Sequence, residues 1–222
     1  MNKILLSIAL TSFGYYAFGS DPSRELLSKT RQLTFEGARS GEGYFSQSGH
    51  KLVYQSENHR GNPFYQIYLL DLRSGENKIV STGVGKTTCA WIHPNEKRVL
   101  FSSTHLDVNA TVKQVAELKE RESGKARKYS WDYDRHYDLF TVDTDSAKST
   151  RLTTADGYDA EGSYSPSGDK IVFASNRNAY SKKLTDKEME IFERDKSYFN
   201  DIYLMNSDGT GTRQLTRSDG YD

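Results

Sequence analysis

The chain has 222 residues, enough for one domain with a sizeable core or for a section of a repeat protein. Its 30 basic and 30 acidic residues cancel, so the charge balance gives no pull toward a polyanion and no nucleic-acid partner is expected. The single cysteine, Cys89, excludes an internal disulfide and any multi-cysteine metal cluster, and 15 Tyr and 10 Phe against 4 Pro favour a strand-rich globular chain over a disordered one.

The N-terminus, MNKILLSIALTSFGYYAFGS, places Lys3 before an apolar run and ends in a small-x-small pattern at Ala17 and Gly19. This is the pattern of a secretory signal peptide over residues 1–19, cut before Ser20. A first core strand or a membrane anchor is the alternative, but the apolar run is too short to span a bilayer. Nothing later in the sequence resembles a transmembrane helix, so the mature chain is expected in the periplasm without a membrane span. Residues 20–30 read as a linker.

From Arg31 onward the sequence repeats. The pairs Leu33-Thr34, Val80-Ser81, Leu152-Thr153 and Leu215-Thr216 anchor the register. Leu33, Val80 and Leu152 each stand 13 residues before a turn residue, Ser46, His93 or Ser165. Gln66, Asp138 and Asp201 each stand 14 residues before the next anchor. Every unit offers four short strand-like segments: one ending in a turn such as Ser165-Pro166-Ser167-Gly168, an apolar run such as KLVYQS or KIVFAS, a third such as QIYLLDL, and a short RQLT-type segment. Four antiparallel strands at a basal period of 47 residues describe a β-propeller blade. The fold class expected is therefore all-β, with blades at about 42–81, 88–153 and 160–216 and an orphan outer strand at Arg31–Thr34. RSDGYD at the end repeats TADGYD at 154–159, so the sequence is expected to stop where another inner strand would begin.

Length varies only between the second and third segments, which places two insertions at about 104–137 and 177–200. Thr111 with Gln114 and Thr185 with Glu188 have capping-box spacing, so each insertion is expected to hold a helix. Val112, Val115 and Leu118 form an apolar stripe on the first, and Met189 and Phe192 share a side of the second. Both insertions should rise on one face of the blades, as a lid or docking rim.

Three sets of side chains are candidates for binding. Glu42 and Glu161 share a repeat position at the start of the innermost strand, where a ring of acids could hold a cation or a basic peptide end in the central channel. Cys89 takes that position in the second blade, and the alternative role for the acids is to accept backbone amides where blades meet. Asp132, Asp134 and His136 alternate in YSWDYDRHYD and would share one face of an extended segment, which suits a divalent ion or polar ligand; an exposed strand extension is the plainer alternative. His59 and Arg60 in SENHRGNPFY are candidate ligand contacts. Histidines in no metal-binding spacing, and the lack of G-x-S-x-G, P-loop and dinucleotide motifs, leave no catalytic residues, no assigned metal ligands and no cofactor.

SYSPSGDKIVFASNR followed by DIYLMNSDGTGTRQLT resembles the WD-like propeller repeat of the TolB family of periplasmic proteins. The resemblance covers nearly everything from Arg31 onward. It departs from TolB in lacking the separate α/β domain before the propeller and in its long charged insertions. It implies a non-catalytic propeller that binds a protein or peptide partner. Related blades also occur in prolyl-oligopeptidase-like and tricorn-type peptidases and in metal-dependent sugar lyases, so a propeller joined to a peptidase domain beyond Asp222, or a lyase, are the rival expectations.

Overall fold

The computed structural model describes residues 29–125, 131–218 and 220–222. The expected signal peptide and all but the last two residues of the linker lie outside the described residues. The chain divides into two compact units, Met1–Phe35 and Glu36–Asp222. In the first, Arg31–Thr34 has no regular secondary structure, and Gln32 Nε2 donates to the Thr34 carbonyl at 2.6 Å. The outer strand expected there does not form, because a lone extended segment has no ladder without a neighbour and no strand pairs with it among the described residues.

The second unit holds three four-stranded antiparallel sheets, each a meander in chain order. The first blade is β1 (Ser40–Phe45), β2 (Lys51–Ser56), β3 (Gln66–Asp71) and β4 (Asn77–Ile79). The second is β5 (Thr87–Ile92), β6 (Arg98–Ser103), β7 (Asp138–Asp143) and β8 (Ser149–Arg151). The third is β9 (Asp159–Tyr164), β10 (Lys170–Ser175), β11 (Asp201–Asn206) and β12 (Arg213–Gln214). The inner strands are neighbours, β1 against β5 and β5 against β9. This is the propeller architecture that the repeat predicts.

The constant 14-residue spacing has a physical cause. The hydroxyl of each anchor pair turns back onto the third strand: Ser81 Oγ accepts from Ile67 N at 3.0 Å, Thr153 Oγ1 from Leu139 N at 2.9 Å, and Thr216 Oγ1 from Ile202 N at 2.8 Å. Each replaces a ladder bond where the short fourth strand has run out, so a buried amide keeps its partner. In the second blade Thr153 also donates to Asp138, which accepts from Arg151 as well.

Burial pushes the Asp138 carboxyl up to about 6, against the pull of Arg151. An exposed aspartate titrates near 3.9, so the folded state holds this proton more tightly than the unfolded chain. The resulting stabilisation is complete below pH ~4 and is lost as pH rises through 6. Urea midpoints between pH 4 and 7 should therefore fall with pH in the native chain and flatten in Asp138→Asn; an unchanged slope would remove Asp138 as its source.

The middle blade explains why runs such as RVLFSS are apolar in their middle. Val99, Phe101, Phe140 and Val142 pack with Val53, Ile67 and Leu69 of the first blade. Leu100 and Leu139, the alternate residues of the same strands, pack with Tyr164, Ile171, Phe173, Tyr203 and Met205 of the third. A strand covered on both faces needs apolar residues at every position. Each such side chain contributes roughly 1.5–3 kcal/mol on burial.

The insertions fold as α1 (Ala110–Glu122) in the second blade, and as α2 (Arg177–Ser181), α3 (Asp186–Arg194) and a 3-10 turn (Lys196–Phe199) in the third. Thr185 and Glu188 form the expected capping box at α3. Phe192 of that helix packs edge-on against Tyr180 and Phe199, while Met189 remains 43% exposed. The box expected at Thr111 does not form: α1 starts two residues earlier, after Asn109, and Gln114 is buried elsewhere. Gln114 Oε1 accepts from Gly85 N at 2.9 Å, and Arg121 reaches Glu57 at 3.0 Å. The helix thus docks through its polar side, onto the Gly85 amide and the Glu57 carboxylate, leaving Val112 66% and Val115 46% exposed. The apolar stripe faces outward.

Candidate binding site on the inner strands

Each inner strand carries the same irregularity. Pairing of β1 with β2 slips between Gly41 and Tyr44, β5 with β6 between Thr88 and Trp91, and β9 with β10 between Ala160 and Ser163. At the centre of each bulge stands a residue with left-handed backbone: Glu42 (φ 46°), Cys89 (φ 49°) and Glu161 (φ 59°). Glycine is the usual occupant of such a position, because a Cβ there costs roughly 1–2 kcal/mol. Three repeats keep a side chain where the backbone disfavours one.

Two of these side chains meet, and the third finds a partner near the C-terminus. Cys89 Sγ donates to Glu42 Oε2 at 3.2 Å, and Tyr221 OH donates to Glu161 Oε2 at 3.1 Å. Among the described residues the two acids thus pair with a thiol and a phenol, where the alternative expectation had backbone amides. Burial, followed by the Glu42 charge, raises the Tyr44 hydroxyl. Tyr44 lies against Trp91 with centroids 4.8 Å apart. Burial and the Glu42 charge raise the Glu161 carboxyl against the pull of Tyr221. The Tyr221 phenol is pushed up to about 12 by burial and Glu161. Cys89 is held well above the ordinary thiol range by burial and Glu42, so it is a packed, unreactive thiol.

Tyr221, 53% exposed, and Tyr44, 37% exposed, complete a rim of acids and aromatic rings. The sequence signal for Tyr221 was the recurrence of GYD, which puts it at the repeat position of Tyr158. Glycine at the bulges should relieve the left-handed strain and lose about 0.5–1 kcal/mol to chain entropy. Glu42→Gly and Glu161→Gly are therefore expected to leave stability unchanged or raise it by up to about 1 kcal/mol, measured by urea unfolding. A loss above 1 kcal/mol would mean that the acids serve the fold.

The other candidates lie elsewhere. Asp132 and Asp134 both pair with Lys86, the latter at 2.8 Å, and Asp134 also receives Lys113 at 2.7 Å. His136 Nδ1 is 3.0 Å from Asp134 Oδ1. Asp134 and His136 are brought together with Asp107, which sequence spacing did not single out, while Asp132 connects to them through Lys86. His59 is exposed at a turn closed by Asn62 N onto its carbonyl at 3.1 Å, with its ring against Gly83, and Arg60 beside it is exposed. His93 lies on Tyr164 and His105 on Phe140, so no cluster of three histidines forms among the described residues. Nor is any helix among them long and apolar enough to cross a membrane.

No family profile matches the sequence. The structure aligns with TolB from Acinetobacter baumannii at a TM-score of 0.51 and 17% identity, over 82% of this chain and 33% of that one. It aligns with a putative TolB from Agrobacterium tumefaciens at 0.52 and 17%, over 82% and 50%. The fold is a TolB-like β-propeller. The β-propeller domain of the Trilobed protease from Pyrococcus furiosus aligns at 0.49 and 8% identity, over 82% of this chain and 44% of that one. The chain spans a third to a half of the length of the TolB structures it matches. At this identity the TolB-like likeness describes the fold, and function has to be argued from the site.

Proposed function

We propose that the chain is an exported, non-catalytic propeller scaffold that binds a protein or peptide partner in the periplasm, through a cationic group of that partner held at the inner-strand bulges. One observation carries this: a left-handed residue other than glycine at the same bulge of three blades, with Glu42 in contact with Cys89 and Glu161 in contact with Tyr221. Backbone strain kept in three copies is better explained by a ligand than by the fold. Two carboxylates beside Tyr44 and Tyr221 suit an amine or guanidinium, which pairs with the acids and lies against the rings. Export rests on the N-terminal pattern around Lys3, Ala17 and Gly19.

Panning a library of short random peptides on the full chain should enrich peptides with an exposed amino terminus, Lys or Arg. Their affinity for the Glu42→Gln/Glu161→Gln double variant should fall about tenfold or more, the scale of one or two lost charged hydrogen bonds. Enriched peptides without a cation, or with equal affinity for the double variant, would refute the proposal.

A further inference from the structure

Of the ten asparagines in the chain, Asn109 alone is followed two residues later by a serine or threonine, in Asp107-Val108-Asn109-Ala110-Thr111. Asparagine, any residue but proline, then serine or threonine is the acceptor pattern for an N-linked sugar on exported chains. Bacterial transferases of this kind also read an acid two positions before the asparagine, and Asp107 supplies it. The folded chain keeps the acceptor open: Asn109 and Thr111 are exposed at the start of α1, and Val108 beside them is 94% exposed. We infer that Asn109 is the attachment site of an N-linked glycan. The inference rests on the export half of the proposed function, because the sugar donor is met by chains that cross a membrane.

The second observation is what the Asn109 side chain does in the fold. Asparagine is among the best N-cap residues, accepting a backbone amide of the first helical turn. Asn109 stands at the cap of α1, yet at φ −98° and ψ 6° its side chain makes no such bond. The turn is held instead by Asp107, whose Oδ1 accepts from Asn109 N and whose carbonyl accepts from Ala110 N, each at 2.9 Å. The Asn109 carboxamide thus has no partner among the described residues. Other asparagines outside the core are engaged: Asn58 on Glu36, Asn77 on Tyr54, Asn178 on Asp201 and Asn206 on Thr210. In the transfer, the carboxamide nitrogen attacks C1 of a sugar carried on a lipid pyrophosphate. An N-glycosidic bond forms, the C1–O bond breaks, the lipid pyrophosphate leaves with the electron pair, and the amide proton passes to a base of the transferase. Asp107 is only 1% exposed once folded, so the transferase reads it before α1 docks. A glycan at Asn109 then stands beside Val112, 66% exposed one turn along, and shields the outward apolar stripe from other chains.

The test co-expresses the full chain with a bacterial oligosaccharyltransferase and its lipid-linked glycan, once with its own N-terminus and once with a proven export leader in place of residues 1–19. Intact mass and peptide mapping read the product. One glycan per chain, at Asn109, is expected. Asn109→Gln and Thr111→Ala should each abolish it, while Thr111→Ser, which keeps the hydroxyl, should retain it. Because the Asn109 side chain caps nothing, Asn109→Gln should keep the native thermal midpoint, so its loss of glycan reports the acceptor and not the fold. A glycan seen only with the proven leader would support the acceptor and remove the export reading. No mass shift with either N-terminus, in cells that modify a control protein carrying the same five residues, would overturn the inference, as would a glycan that survives Asn109→Gln.

Discussion

Replacing Arg177 with alanine is expected to cost about 3–5 kcal/mol of stability, because it leaves a carboxylate unpaired in the interior. Asp159 opens the inner strand of the third blade and is 0% exposed. It accepts from Ser175 and from Arg177 NH2 at 2.6 Å. The Arg177 guanidinium also lies over Phe173 and Tyr203, 5.1 and 5.0 Å from their centroids. Alanine removes the charge partner and the packing together. Denaturant unfolding should show the loss, and Asp159→Asn combined with Arg177→Met should recover much of it, since a neutral pair leaves no isolated charge. A cost under about 1 kcal/mol for Arg177→Ala would mean that water reaches Asp159 and that the pair is a surface contact.

Phe101→Ala should be comparably severe, about 3–5 kcal/mol, through the cavity it opens. Phe101 is 0% exposed in the core shared by the first two blades, with its ring 6.2 Å from that of Phe140. Val112→Ala on α1 should change stability by no more than about 0.5 kcal/mol, since that side chain is 66% exposed. The contrast separates the two apolar patterns in the sequence: the strand runs hold the blades together, and the helix stripe does not. Equal costs at the two positions would mean that α1 is packed by its apolar face.

What the sequence made legible follows from where each signal is written. Blade strands and turns are fixed by local rules, an apolar run between neighbours, a glycine after Ser-Pro-Ser and a hydroxyl set back from the anchor, so repetition reveals them. Periodicity reports the helix α1 and its stripe but not which side docks, which here is settled by Gln114 accepting from Gly85 N and by Arg121 pairing with the Glu57 carboxylate. Arg31–Thr34 matched the repeat yet forms no strand, because pairing depends on a neighbour that local sequence does not contain. At the candidate site, equivalence of position identified Glu42, Glu161 and Cys89. The left-handed bulge beneath them had no signal, since glycine, its usual marker, is replaced there by the side chains themselves. Asp107 was missed because it lies 27 residues before Asp134 in the chain and is joined to it only by folding.

Hydrogen exchange of the full chain, with and without an enriched cationic peptide, tests the central claim most directly. The account predicts added protection confined to the inner strands, residues 40–45, 87–92 and 159–164, and to the segment around Tyr221, with the outer strands β4, β8 and β12 unchanged. Protection limited to the outer strands or to α1 and α3, with the inner strands exchanging as before, would contradict it.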